Sequence, residues 1–249
     1  MTQLVQRQSR RRRHRQRNGL LISLGALAVA LVVGLLSIVG YVLAVASSGP
    51  ELSQLKPVDK GQTSVIFDSQ GHRLGYVQSD EIRTPVSWRS MPEHLRDAVV
   101  AIEDERFYEH RGVDYSAIIR AGVKNLESGK NVQGGSTITQ QLVRALYIKD
   151  PERNFKRKIR EAKLASELEK EQSKQWILKN YLNAVPFGTV EGRTAIGVEA
   201  AAETFFDKHT HELSLGQAAM LAGLPQAPSQ YNPFRNATAA LGRRSEVLR

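Results

Sequence analysis

Ala101-Ile-Glu-Asp-Glu-Arg-Phe-Tyr-Glu-His-Arg-Gly112 is the stretch that decides how this chain folds. Just before it, Leu95, Val99 and Ile102 lie four and three residues apart behind Pro92. That spacing predicts an amphipathic helix with proline in its first turn. Glu103 falls in the last turns, about 100° around the helix from the apolar stripe, at the border between core and solvent. A carboxylate at such a border is partly desolvated, which raises its pKa and makes it a better base. Read alone, Glu103 to Glu105 is an ordinary solvated helix end; the rest of the chain reverses that reading.

The chain has 249 residues, enough for a sizeable core, and no cysteine, which excludes disulfides and thiolate metal sites. Its formal charge of +10 is unevenly placed. Arg7, Arg10, Arg11, Arg12, Arg13, Arg15 and Arg17 crowd the first 18 residues, where there is no acid, so the remainder carries only about +3. Gly19 to Pro50 holds no charge, and Leu20 to Ala46 is almost wholly apolar. About 27 residues at about 1.5 Å each give roughly 40 Å of helix, more than a hydrocarbon core of about 30 Å requires. A cleaved signal peptide would have a much shorter apolar run, despite the small residues at Ala44-Val45-Ala46. The arginines abut the span, which fits the positive-inside rule better than a nucleic-acid patch. The expected order is a cytoplasmic basic tail (1–18), a transmembrane anchor (19–47), a linker with a small β-hairpin (48–85), and an extracytoplasmic domain (86–249).

Within the linker, Gly49, Pro50 and Pro57 break regular structure, and Ser53-Gln-Leu-Lys56 matches a Ser-x-x-Lys pattern by chance, since no Lys-Thr-Gly follows. Ser64 to Asp68 and Arg73 to Val77 flank a turn at Ser69-Gln-Gly71 and predict the hairpin. Beyond Thr84-Pro85 the pattern is helical. Helices are expected over Pro92 to Glu105, Tyr115 to Glu127, Thr137 to Ile148, Pro151 to Glu171, Lys174 to Asn183, Gly197 to Phe206, and Ser214 to Leu224. Asp150-Pro151 and Ser214 are the expected helix starts.

Two further stretches bear on chemistry. Gln133-Gly-Gly-Ser-Thr-Ile-Thr-Gln-Gln141 places two glycines before Ser136, Thr137, Gln140 and Gln141. Such a loop lets backbone approach a ligand and offers neutral hydrogen bonds suited to sugar or phosphate, or else forms a hinge with a helix cap. Arg153, Arg157 and Glu161 are four apart and share a helix face, with Lys158 beside them. Alone, that is salt-bridge lacing. With Arg144 it supplies four cations, an arrangement suited to a diphosphate leaving group. His110 has no metal-ligand spacing around it and reads as a structural hydrogen-bonding residue near the turn at Gly112. Trp88 and Trp176 read as core. The apolar faces of Val113 to Leu126 and Leu142 to Ile148 are either buried or turned toward a bilayer.

Taken in order, these segments closely resemble the peptidoglycan glycosyltransferase (family 51) domain of class A penicillin-binding proteins, over about Val86 to Arg249. The motifs that carry the resemblance are Glu103-Asp-Glu-Arg-Phe-Tyr-Glu-His110-Arg-Gly112, Gly135-Ser-Thr-Ile-Thr-Gln-Gln141, Arg157-Lys-Ile-Arg-Glu161, Ile177-Leu-Lys-Asn-Tyr-Leu-Asn183 and Ala200-Ala-Ala-Glu-Thr-Phe-Phe206. The resemblance implies a mainly α, lysozyme-like domain with a small membrane-associated jaw subdomain. It implies polymerisation of lipid II into β-1,4-linked glycan strands by inverting transfer, with release of undecaprenyl diphosphate. Glu103 then corresponds to the base that deprotonates the acceptor 4-hydroxyl, and Glu161 to the second family carboxylate. Arg144, Arg153, Arg157 and Lys158 correspond to phosphate contacts, while Ser136, Thr137 and Gln141 line the site. Asp104, Phe107, His110 and Gly112 shape it. The implied partners are lipid II, the growing lipid-linked strand, the membrane of a bacterial cell and other wall-synthesis proteins, with no nucleic acid. No cofactor is required, and a divalent cation, Mg or Mn, is the one candidate.

The chain departs from the family pattern at Pro186, where tyrosine is usual, at Asp207, where glycine is usual, and in a short insertion at Thr189 to Thr194. Its last residues, 241–249, resemble the start of a link to a transpeptidase domain. The rival functions are a membrane-tethered lytic glycosidase, which two carboxylates also permit, and a non-catalytic wall scaffold. The cation cluster argues against the first, and retention of both carboxylates argues against the second.

Overall fold

Residues 93–103 become a helix because their apolar side chains recur at helical spacing behind Pro92, whose extended backbone starts the turn. In the computed structural model, which describes residues 2–57, 61–77, 80–129, 134–148 and 154–249, this helix buries Leu95, Ala98, Val99 and Val100. The chain divides into two compact units, one ending at Gly49 and the other spanning Pro50–Arg249.

The first unit is α1 (Thr2–Ser47). Within Ser23–Gln54, an apolar run of 18 residues has a mean hydropathy of 2.6 and is 6% buried, so the helix is long and apolar enough to cross a membrane. Leu24, Leu31, Leu35 and Leu43 are exposed along it.

The second unit contains β1 (Val65–Phe67), β2 (Arg73–Tyr76), β3 (Glu81–Arg83), α2 (Glu93–Glu103), α3 (Tyr115–Ser128), α4 (Ile138–Tyr147), α5 (Phe155–Glu171) and α6 (Lys174–Ala184). These are followed by β4 (Pro186–Val190), β5 (Arg193–Ile196), α7 (Val198–Phe206), α8 (Leu215–Ala222) and α9 (Ala237–Val247). β1 and β2 form the expected hairpin. β3, β5 and β4 form a second sheet in that order, with β3 parallel to β5 and β4 antiparallel to it.

Helix α4 packs on both α5 and α6, while α2 packs on α8 and α9. Their shared core is filled by fully buried Phe107, Leu142, Tyr181, Phe187 and Leu221, each apolar side chain contributing about 1.5–3 kcal/mol. Trp88 and Trp176 pack against this core while remaining partly exposed. Leu142 and Val143 are likewise buried, and Leu146, Tyr147 and Ile148 pack on the core. Tyr115, Ile119, Val123 and Leu126 of α3 instead face out, so the two apolar faces have different fates.

Several boundaries differ from expectation. The helix expected over Pro151 to Glu171 starts at Phe155, because the Asn154 side chain accepts a hydrogen bond from Arg157 N; Asp150-Pro151 lies outside the described residues. Strands β4 and β5 occupy the stretch read as an insertion, joined by Glu191 and Gly192, both at positive φ. Leu52 and Ile82, in the stretch read as linker, are buried in the core, and Glu167 accepts a hydrogen bond from Leu52 N at 3.0 Å. Residues 237–247 form α9, which the sequence reading did not anticipate as a helix.

Candidate active site

Glu103 is the last residue of α2, and the chain leaves the helix at Asp104. Gln141 Nε2, one turn into α4, donates to Glu103 Oε2 at 2.6 Å. Glu103 Oε1 is buried and receives no hydrogen bond among the described residues. Burial is the main influence on this carboxyl and raises its pKa, since the charged form loses water. The Gln141 bond and the charges of Arg243 and Arg144 pull it partway back, while Asp104 adds to the rise. The result is a carboxylate with one free buried oxygen and a raised proton affinity, the properties a general base needs.

Asp104 has a different task. It is 7% exposed and accepts from His110 Nε2 at 2.9 Å and from Ile138 N at 3.0 Å. Ile138 N, at the positive end of α4, has no carbonyl partner within its own helix, so a carboxylate there is favoured twice, by hydrogen bonding and by the helix dipole. The contact docks α4 against the residue following Glu103, which brings Gln141 into reach. Thr137 caps α4 in a reciprocal capping box with Gln140, and its hydroxyl also donates to Gly112 O at 2.6 Å. Gly112 sits at φ +87°, where an added Cβ would lie 2.5 Å from Ala165 O, so no side chain is tolerated. Phe107 is fully buried, with Lys174 Nζ 4.4 Å above its ring. The same ammonium donates to His110 O at 2.7 Å.

Glu161 on α5 is 1% exposed. Lys158 Nζ lies 3.2 Å from Oε2 and donates to Ser136 Oγ at 2.5 Å. Arg157 Nε stands 3.2 Å from Oε1, close enough for an ion pair but not aligned for a hydrogen bond. Two cations thus stand within ion-pair distance of this buried carboxylate, whereas Arg243 and Arg144 act on Glu103 only from farther away among the described residues.

A cleft of about 440 Å³ opens over Glu103, walled by Ser136, Thr137, Gln141, Arg144 and Arg243 among others. The fold therefore gathers Glu103, Ser136, Thr137, Gln141 and Arg144. Lys158 reaches this group through Ser136. Glu161 and Arg157 pair with each other and do not line the cleft. Arg153 lies outside the described residues.

The transglycosylase family profile matches residues 70–249. The chain belongs to that family. Among its transglycosylase relatives, penicillin-binding protein 1A of Aquifex aeolicus is 42% identical over 230 residues, covering 92% of this chain and 30% of the relative. Penicillin-binding protein 1A of Clostridium perfringens strain 13 is 43% identical over 221 residues, covering 87% of this chain and 31% of the relative. A crystal structure of penicillin-binding protein 1A from Haemophilus influenzae aligns with 78% of this chain and 18% of its own, at 26% identity and a TM-score of 0.39. The chain thus spans about 30% of the length of these curated transglycosylase relatives.

In this cleft, Arg243 was missed by sequence reasoning. It comes from α9, 140 positions beyond Glu103 along the chain, and its guanidinium still pulls down the Glu103 pKa. Its Nη1 also pairs with Glu246 at 2.9 Å. Arg120 of α3 and Gln226 line the same cleft and were likewise missed. The Asn236 cap and the Arg243-Arg244 pair were visible, but only packing of α9 on α2 and α8 reveals which site the cation serves.

Proposed function

We propose that the chain is the glycan-polymerising part of a class A penicillin-binding protein, acting on lipid II. The observation that carries this reading is the Glu103 carboxylate: buried at one oxygen, clamped at the other by Gln141, and set in a cleft bearing Arg144 and Arg243. In the proposed reaction Glu103 removes the proton from the acceptor sugar's 4-hydroxyl as that oxygen attacks the donor's anomeric carbon. The carbon–oxygen bond to the diphosphate breaks, and the electron pair leaves with undecaprenyl diphosphate. One displacement at an α-linked centre gives the β-1,4 linkage with inversion.

Arg144 and Lys158, with the Ser136 hydroxyl held by Lys158, supply the charge and hydrogen bonds that a departing diphosphate requires. Arg157 and Glu161 hold Lys158 and its helix face in register. Because the leaving group is stabilised by positive charge, no second carboxyl has to donate a proton, which favours transfer over glycosidic hydrolysis.

Both substrates are lipid-linked, and two features of the chain suit a membrane surface. The apolar span of α1 serves as the anchor, with the arginine-rich end cytoplasmic and the catalytic unit outside. The exposed Ile119, Val123 and Leu126 of α3 offer an apolar surface for the bilayer interface.

Glu103→Gln tests the proposal directly. It keeps the side chain's size but cannot accept the proton, so polymer formation from lipid II should fall about 10² to 10⁴-fold while binding of a diphosphate-lipid analogue is retained. Glu105→Gln, an exposed neighbour, should polymerise normally. Normal polymerisation by Glu103→Gln, or an equal loss in the Glu105 variant, would overturn the assignment.

A further inference from the structure

Away from the cleft, α7 carries Glu199 and Glu203 one helical turn apart. The chain then reverses at Asp207, which adopts φ +51°, and returns His209 to both carboxylates. His209 Nδ1 lies 2.7 Å from Glu199 Oε1 and 3.9 Å from Glu203 Oε1, and donor atoms of all three residues fall within 4.8 Å of one another. None of the three lines the cleft of Glu103.

We propose that Glu199, Glu203 and His209 bind one divalent transition cation of the Zn²⁺ type, tying α7 to the turn that follows it. The argument begins with Glu199, which is 5% exposed. Its Oε2 accepts from Thr210 N at 2.9 Å and from the Thr210 hydroxyl, which fixes the carboxylate and leaves Oε1 facing His209. An outer hydrogen bond of this kind orients a ligand before the metal arrives.

Spacing supports the same conclusion. Zinc bonds to oxygen and nitrogen of about 2.0–2.2 Å place tetrahedral ligands roughly 3.4 Å apart. The observed 2.7 Å and 3.9 Å separations bracket that value, and with all three donors within 4.8 Å of one another, adjustments of about 1.4 Å or less bring them to tetrahedral spacing. At present a proton on the imidazole joins His209 to Glu199; an ion would replace that proton.

The donor set selects the class of ion. Two carboxylates and an imidazole suit a borderline cation, whereas Ca²⁺ and Mg²⁺ prefer six or more oxygen ligands. Glu203 also lines a separate cavity of about 570 Å³, which gives water access to a remaining coordination position. This site is independent of the transfer chemistry, so its test stands whether or not the chain polymerises lipid II.

The test uses the full chain in detergent, with ZnCl₂ alone as probe, read by calorimetry and thermal melting, and with EDTA to reverse the effect. One Zn²⁺ per chain should bind and raise the melting temperature, while MgCl₂ and CaCl₂ at the same concentration should not. His209→Ala and Glu203→Gln should each weaken binding at least about tenfold. His209 is 59% exposed, so its replacement should leave the fold intact, as circular dichroism would verify. His211→Ala is the control: its ring stacks on His209 at a centroid distance of 5.7 Å, but it lies outside the donor set and should not matter. Absence of binding at about 100 µM free ion, a range of only weak affinity, would overturn the proposal. So would unchanged affinity in His209→Ala or Glu203→Gln, or loss of binding in His211→Ala, which would indicate an exposed histidine pair instead.

Discussion

Gln141→Met removes the donor of the 2.6 Å hydrogen bond to Glu103 while keeping the side chain's length and excluding water. A hydrogen bond to a charged group contributes about 1.5–3 kcal/mol net, and about 1.36 kcal/mol is a factor of ten. At a given acidic pH, the ratio of ionised to protonated Glu103 should therefore fall about ten- to 150-fold. The direction follows from the site: burial raises the pKa of this carboxyl and the Gln141 bond opposes the rise, so without that bond the proton is held to higher pH. A base acts only when ionised, so the acid limb of kcat/KM for lipid II polymerisation should move to higher pH, with activity recovering on the alkaline side. Tyr181 provides a second readout. Its buried hydroxyl, kept protonated by burial and by the nearby Glu103 charge, donates to Gln141 Oε1 at 3.3 Å. Leaving it unpaired should cost about 1–3 kcal/mol of stability. Adding Tyr181→Phe to Gln141→Met should restore the stability without restoring the acid limb. An acid limb that stays in place, or activity reduced equally at every pH, would refute the reasoning.

Glu103→Gln also bears on stability. Because the folded-state pKa of Glu103 is raised, its contribution is fully present below the ordinary carboxylate range and is lost as pH rises through the folded value. The variant should thus melt above wild type at pH of about 8, with the gap closing toward pH of about 4; a gap independent of pH would exclude ionisation as its cause. Lys158→Ala should lower polymer turnover about ten- to 150-fold with the fold retained, since Lys158 is partly exposed and faces Ser136. Early melting, with activity lost only in proportion to the folded fraction, would show its role to be structural. Glu191→Asn should stabilise the turn between β4 and β5 by about 0.5–1 kcal/mol in urea unfolding, because Glu191 occupies φ +50° beside Gly192 and asparagine enters that region more readily. Unchanged stability would mean that the turn is not strained.

The helices were legible because their cause is local. Apolar spacing in Leu95, Val99 and Ile102, and polar caps such as Ser214 and Thr137, act within one or two turns. Where a helix start differed, as at Phe155 behind the Asn154 cap rather than at Pro151, the rest of the helix to Glu171 stayed in place. The sheet was less legible, because β3 is paired with a strand more than 100 residues away and each strand is too short to show a period of its own.

The same division runs through the site. Sequence alone determined the apolar span, the helical character of the second unit, and the polar and cationic residue types of the cleft, since composition and short spacing express these directly. Only tertiary structure decided which polar residues do which work. Asp104, adjacent to Glu103 in sequence, turns inward to hold α4 and His110; Gln141, 38 positions from Glu103, becomes its hydrogen-bond donor. Arg243 reaches the same carboxylate from the last helix, while Glu161 is enclosed by Arg157 and Lys158. The physical reason is that a proton affinity is set by desolvation and by charges within a few ångströms. Those distances exist only after packing has brought α2, α4 and α9 together.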